Sequence, residues 1–121
     1  ALQEHCNLIL IAGKLRVEES EDNEEKDEIV KLYSIIDQYN LHGKIRWLGV
    51  RLPKSASGEV YRVIADRHGI FVQPALFEAF GLTVLEAMIS GLPTFATQFG
   101  GPLEIIQDKV NGFYINPTHL E

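Results

Sequence analysis

Five short apolar runs recur along the chain, each almost unbroken: 6–13 (CNLILIAG), 44–50 (KIRWLGV), 70–75 (IFVQPA), 92–98 (LPTFATQ) and 112–116 (GFYIN). Runs of this length bounded by Gly, Pro and polar clusters have the character of strands buried on both faces. The stretches between them carry a helical period. In 24–40, Ile29, Leu32, Tyr33 and Ile36 recur at i, i+3, i+4 and i+7, and Asn40 to Gly43 closes the pattern. In 58–69, Val60, Val63 and Ile64 share one face, and 80–91 is a third apolar helix stopped by Gly91. The segment 100–108 opens a fourth, with Pro102 near the first helical position, where its missing N–H costs nothing. Buried strands alternating with helices demand a parallel sheet covered on both sides. The expected fold is therefore a single α/β domain over 1–121, an open, doubly wound, Rossmann-like parallel sheet.

Charge excludes some functions. Seventeen acids against eleven Lys and Arg give a net charge of −6, but eight of the acids fall in 18–28 (EESEDNEEKDE) and the remainder is nearly neutral. Acids just before a helix complement the positive end of its dipole, so the run is expected to be a solvated loop entering the helix. It lacks EF-hand spacing. No basic stripe suggests nucleic acid, and no apolar run approaches the roughly 18 residues of a membrane span. The single cysteine, Cys6, allows neither a disulfide framework nor a zinc cluster, and suits a reducing cytoplasm. Cys6 and Trp47 are both expected to pack in strands. His5, His42, His68 and His119 have no ligand spacing. The start, ALQEHCNLIL, has no Met, basic n-region or cleavage site, and the end, NPTHLE, is equally abrupt; the chain reads as a piece of a longer protein.

Ligands of open α/β sheets bind beyond the carboxyl ends of the strands. That selects the loops 13–20, 50–58, 74–81 and 97–102. The third leads into FEAFGLTVLE (77–86), where Glu78 precedes a Gly-opened helix and Glu86 lies inside it. The helix start at Phe80, Gly81, Leu82 and Thr83 offers free backbone N–H groups and a partial positive charge, a setting that stabilises phosphate. A carboxylate beside such a site commonly holds sugar hydroxyls. One reading is thus a cradle for a nucleotide sugar, with an acid on each side of a diphosphate. The other makes Glu78 a surface loop acid and Glu86 a solvent-facing helix residue; spacing does not choose between them. Gly100-Gly101-Pro102 is either a tight turn or an edge of the same mouth. The chain has no G-x-G-x-x-G, no Walker A and no G-x-S-x-G.

The segment FVQPALFEAFGLTVLEAMISGLPTFATQFGGPLEII (71–106), with EDNEEK, RW and GEVYR upstream, strongly resembles the nucleotide-binding C-terminal domain of the sucrose synthase family, retaining glycosyltransferases of GT-B architecture. Sucrose-phosphate synthase is the second resemblance. The first implies that Glu78 contacts the transferred glucose, that backbone groups of Phe80 and Gly81 reach it, that Leu82 and Thr83 donate to the diphosphate, and that Glu86 binds the ribose. It implies the reaction NDP-glucose + D-fructose ⇌ sucrose + NDP, with neither a metal nor a cofactor beyond the substrate nucleotide, ADP or UDP. It also implies an acceptor-binding N-terminal domain and two cationic phosphate ligands upstream of residue 1, and a homo-oligomeric full-length enzyme. The chain departs from plant-type members at two positions in the loop after the second strand. Arg51 and Ser57 stand where those carry Gln and Asn beside the nucleobase, which implies a preference for ADP. For the chain alone, a nucleotide-sugar-binding module without turnover is the alternative.

Overall fold

The computed structural model describes residues 2–12 and 14–119. Gly13, expected to end the first strand, lies outside them. The chain forms two compact units, residues 1–51 and 52–121.

In the first unit a helical turn, α1 (Leu2–His5), precedes β1 (Leu8–Ile11), a 3-10 turn (Val17–Glu19), α2 (Asn23–Gln38) and β2 (Ile45–Leu48). β1 and β2 pair in parallel, Leu8 opposite Ile45 and Ile11 opposite Leu48. Pairing starts where the Leu8 N–H donates to Lys44 O at 2.8 Å, just after the Gly43 turn. Cys6 therefore precedes the strand and is exposed, contrary to the expected packing. Trp47 is half-buried, with Nε1 donating to Ala12 O at 2.7 Å and its ring 5.5 Å from that of Tyr33. The expected stripe of α2 narrows to Ile29 and Ile36 as its buried residues. The acidic run does what the dipole argument requires: Asp22 caps α2 by accepting from Glu24 N, and Glu24 and Glu25 occupy the first turn.

The second unit runs α3 (Lys54–Asp66), β3 (Phe71–Gln73), α4 (Leu82–Ile89), β4 (Thr94–Thr97), α5 (Pro102–Ile105) and β5 (Phe113–Ile115). Its three strands are parallel in the order β3-β4-β5, with β4 central, and each consecutive pair is joined through a helix. Apolar burial concentrates under α4. Val84 packs with Ala96 and Ile106, and Ala87 packs with Tyr61 and Leu92, while Phe71 touches both groups. The class is the expected one, an open doubly wound α/β fold of Rossmann type.

Three boundaries differ from the expectation. α3 begins four residues early because Pro53, at φ −63°, presets an extended cap, and Ser57 N–H donates to Pro53 O at 3.0 Å. α4 begins at Leu82 because Gly81 takes the left-handed φ of 78°. α5 is a single turn: Asn111 accepts from Gln107 N at 2.7 Å and donates to Ile105 O at 3.2 Å, replacing the bonds a further helical turn would make. Among the described residues no helix is long and apolar enough to cross a membrane.

Candidate functional site

β3 ends at Gln73, and the chain turns through Pro74 into the loop that carries Glu78. A second loop, after β4, is laced to it. Glu78 N–H donates to Phe99 O at 3.1 Å, and Gly101 N–H donates to Glu78 O at 2.7 Å, so Glu78 and Gly100 form a parallel bridge. Glycine is required at this crossing. Gly100 has φ 100°, and a Cβ there would lie 2.1 Å from Glu78 O; one on Gly101 would lie 2.6 Å from the Phe80 carbonyl carbon. The Gly-Gly-Pro stretch is therefore both a turn and a clamp on the Glu78 loop.

The clamp aims the Glu78 carboxylate at its own chain. Oε1 accepts from Phe80 N at 3.2 Å and from Gly81 N at 3.1 Å, while Oε2 accepts from Gln73 Nε2 at 2.7 Å. Hydrogen bonds to a charged group contribute roughly 1.5–3 kcal/mol each, so three of them fix the acid firmly. Glu78 is half-buried, and no cation pairs with it among the described residues. Glu78, Phe80 and Gly81 are thus brought together as the sequence suggested. Their contact is with one another: the two amides expected to reach a sugar donate to the acid.

The next amides remain open. Gly81 caps α4 with no side-chain bond, Leu85 N–H returns to Gly81 O, and neither Leu82 N nor Thr83 N meets an acceptor among the described residues. They are the free donors of a helix start, where the dipole favours an anion. Leu76, Phe77, Phe80 and Leu82 surround this helix start with exposed apolar side chains.

Glu86 occupies a different setting. It is half-buried on α4 and lines a shallow cavity of about 190 Å³ with Lys54, Gly58, Tyr61, Ile89 and Ser90. Burial, and secondarily the Glu86 charge, push the Tyr61 phenol above its ordinary pKa. No contact joins Glu86 to Glu78 among the described residues; Glu78 is tied into its loop by three donors, whereas Glu86 only borders the cavity. Arg51 is exposed and closes the first unit. Ser57 stands in the first turn of α3 rather than in a loop, which corrects its expected place. Sequence reasoning missed Gln73, Lys54 and Tyr61. Gln73 had a legible signal, an amide inside an otherwise apolar strand.

Residues 2–121 match the family described as glycosyl transferases group 1. The chain belongs to that family. Relatives among the group 1 glycosyl transferases include the sucrose synthase of Thermosynechococcus vestitus, 82% identical over 121 residues. Others are that of Melioribacter roseus, 62% identical over 120 residues, and sucrose synthase 2 of Arabidopsis thaliana, 52% over 118. All of this chain matches the first, 99% the second and 98% the third, yet it spans only about 15% of the length of each. The fold is shared with Anabaena HepE in complex with UDP, at TM-score 0.73 and 24% identity, over 96% of this chain and 29% of that one. HepE in complex with UDP-glucose gives 0.69 and 26% over the same shares.

Proposed function

We propose that the protein containing this chain is a retaining glucosyltransferase catalysing NDP-glucose + D-fructose ⇌ sucrose + NDP, and that this chain is its nucleotide-sugar half. The observation that carries the reading is the 82% identity to a sucrose synthase across all 121 residues. The chemistry of the α4 start agrees with it. The open amides of Leu82 and Thr83 receive the diphosphate, and the helix dipole stabilises the negative charge that grows as the glycosidic bond breaks. Glu78, fixed beside them by the Phe80 and Gly81 amides, meets the glucose. Glu86, at its cavity with Lys54 and Tyr61, takes the ribose hydroxyls. The leaving diphosphate accepts the proton of the incoming hydroxyl on the same face, so configuration is retained without a covalent glycosyl intermediate. No metal takes part.

The acceptor-binding domain and two cationic phosphate ligands belong to other parts of the protein, which works as a homo-oligomer in the cytoplasm. Arg51 and Ser57 stand at the positions that the resemblance to plant-type members assigns to base choice. Arginine donates and stacks but does not accept, and serine is too short to replace an amide, so a purine is the better partner. The preference for ADP over UDP is about tenfold, or about 1.4 kcal/mol.

The test is sucrose cleavage by the full-length protein with ADP and UDP in competition. Absence of sucrose turnover overturns the reaction. Equal specificity constants, or an Arg51→Gln/Ser57→Asn variant with an unchanged ratio, overturn the base assignment alone.

A further inference from the structure

Gln73 is the last residue of β3, a half-buried amide in an apolar strand whose Cα faces Ala96 of β4. Its Nε2 donates to Glu78 Oε2 at 2.7 Å. Its Oε1 is buried and has no hydrogen-bond partner. Rotating the amide by half a turn would not relieve this, because it would set the carbonyl oxygen against the Glu78 carboxylate. The carboxylate therefore dictates the orientation, and the strand tolerates a buried orphan acceptor, a destabilising feature, as a result. For packing alone, an apolar side chain of the same length would serve β3 better. Such a local cost, tied to one polar contact, points to what that contact does.

We propose that Gln73 is a positioning residue for glucosyl transfer, holding Oε2 of Glu78 so that the acid keeps one fixed rotamer beside the helix start. This rests on the assignment of Glu78 to the glucose. The backbone amides of Phe80 and Gly81 restrain only Oε1. With Oε1 alone bound, the carboxylate can still pivot about it, and small misplacements of a group at the reacting centre cost rate steeply. Gln73 removes that freedom from the sheet side, where the strand end is anchored by pairing with β4.

The experiment uses the full-length protein with Gln73→Met, Gln73→Glu, Glu78→Ala and the Glu78→Ala/Gln73→Met pair. Gln73→Met keeps the length and removes the donor. Its kcat should fall about tenfold, with nucleotide Kd within about twofold of the parent and a melting temperature equal or higher. In the Glu78→Ala background the same change should cost nothing further, because its target is gone. Gln73→Glu should also lose turnover, and the loss should shrink as pH falls, since the new carboxyl donates to Glu78 only when protonated. Wild-type kcat in Gln73→Met, an additive double variant, or a Gln73→Glu deficit independent of pH overturns the proposal while leaving the Glu78 assignment intact. Full turnover in Glu78→Ala overturns that assignment and this inference with it.

Discussion

Glu78 and Glu86 stand eight residues apart in one short segment, yet their surroundings have little in common. Glu78 sits on a loop, takes three N–H donors, and is clamped from behind by a second loop. Glu86 sits on a regular helix and borders an open hollow, where an amine and a phenol share the wall. The first arrangement holds an acid in one orientation. The second leaves an acid on the wall of an open cavity. The same residue type is thus held in one orientation or left open according to the number of donors its own chain supplies.

That contrast can be broken first at the clamp. Gly100→Ala sets a methyl group against Glu78 O in a left-handed conformation, and we expect a loss of about 4 kcal/mol of stability or failure to fold. Urea denaturation measures it; a loss below about 1 kcal/mol would mean the two loops are not laced as described. Next, Glu78→Ala in the full-length protein should lower kcat about 100-fold, near 2.7 kcal/mol, while nucleotide Kd stays within about threefold. Equal damage to both constants would erase the distinction between the two acids.

Glu86→Ala should do the reverse, weakening nucleotide binding about tenfold or more, at least about 1.4 kcal/mol, with kcat at saturation little changed. Titration calorimetry with ADP separates these outcomes. The smallest effect concerns Tyr61, whose phenol titrates above its ordinary value because of burial and then Glu86. Its folded-state pKa is raised, so its contribution to stability is complete below about pH 10 and is lost as pH rises through the higher folded value. Tyr61→Phe should flatten the alkaline end of the stability profile. Glu86→Gln should move the Tyr61 titration part of the way back toward 10, seen as a difference in ultraviolet absorbance against Tyr61→Phe. An unmoved titration would separate Glu86 from that hollow.

The fold class was legible because continuous apolar runs between amphipathic stretches leave few alternatives to a parallel sheet. That a helix opens shortly after Glu78 was legible because Gly81 precedes an apolar run, although its first residue is Leu82. The boundaries were less so. Ser57 sits in a run of small residues that reads as a loop, and only the carbonyl of Pro53 shows that the helix has already begun. Asn111 ends α5 from six residues downstream of Ile105, a relation no local pattern carries. The surroundings of the two acids were hidden for the same reason: Gln73 bonds to Glu78, and Lys54 and Tyr61 line the cavity of Glu86, only in the folded chain. Cys6 misled because an apolar neighbourhood in sequence does not supply a pairing partner in space.

The bridge between Glu78 and Gly100 also bears on how such a site can be rebuilt. Its two strips of chain, 76–81 and 98–102, are linked by the main-chain bonds from Glu78 N–H to Phe99 O and from Gly101 N–H to Glu78 O. They form one structural block although the sixteen residues 82–97 lie between them. A chimera that imports a relative's acid-bearing loop without its glycine partner would join mismatched lengths across that seam. Recombination that keeps the block whole can exchange it between scaffolds, and breakpoints in such hybrids belong in α3 or beyond β5 rather than within α4.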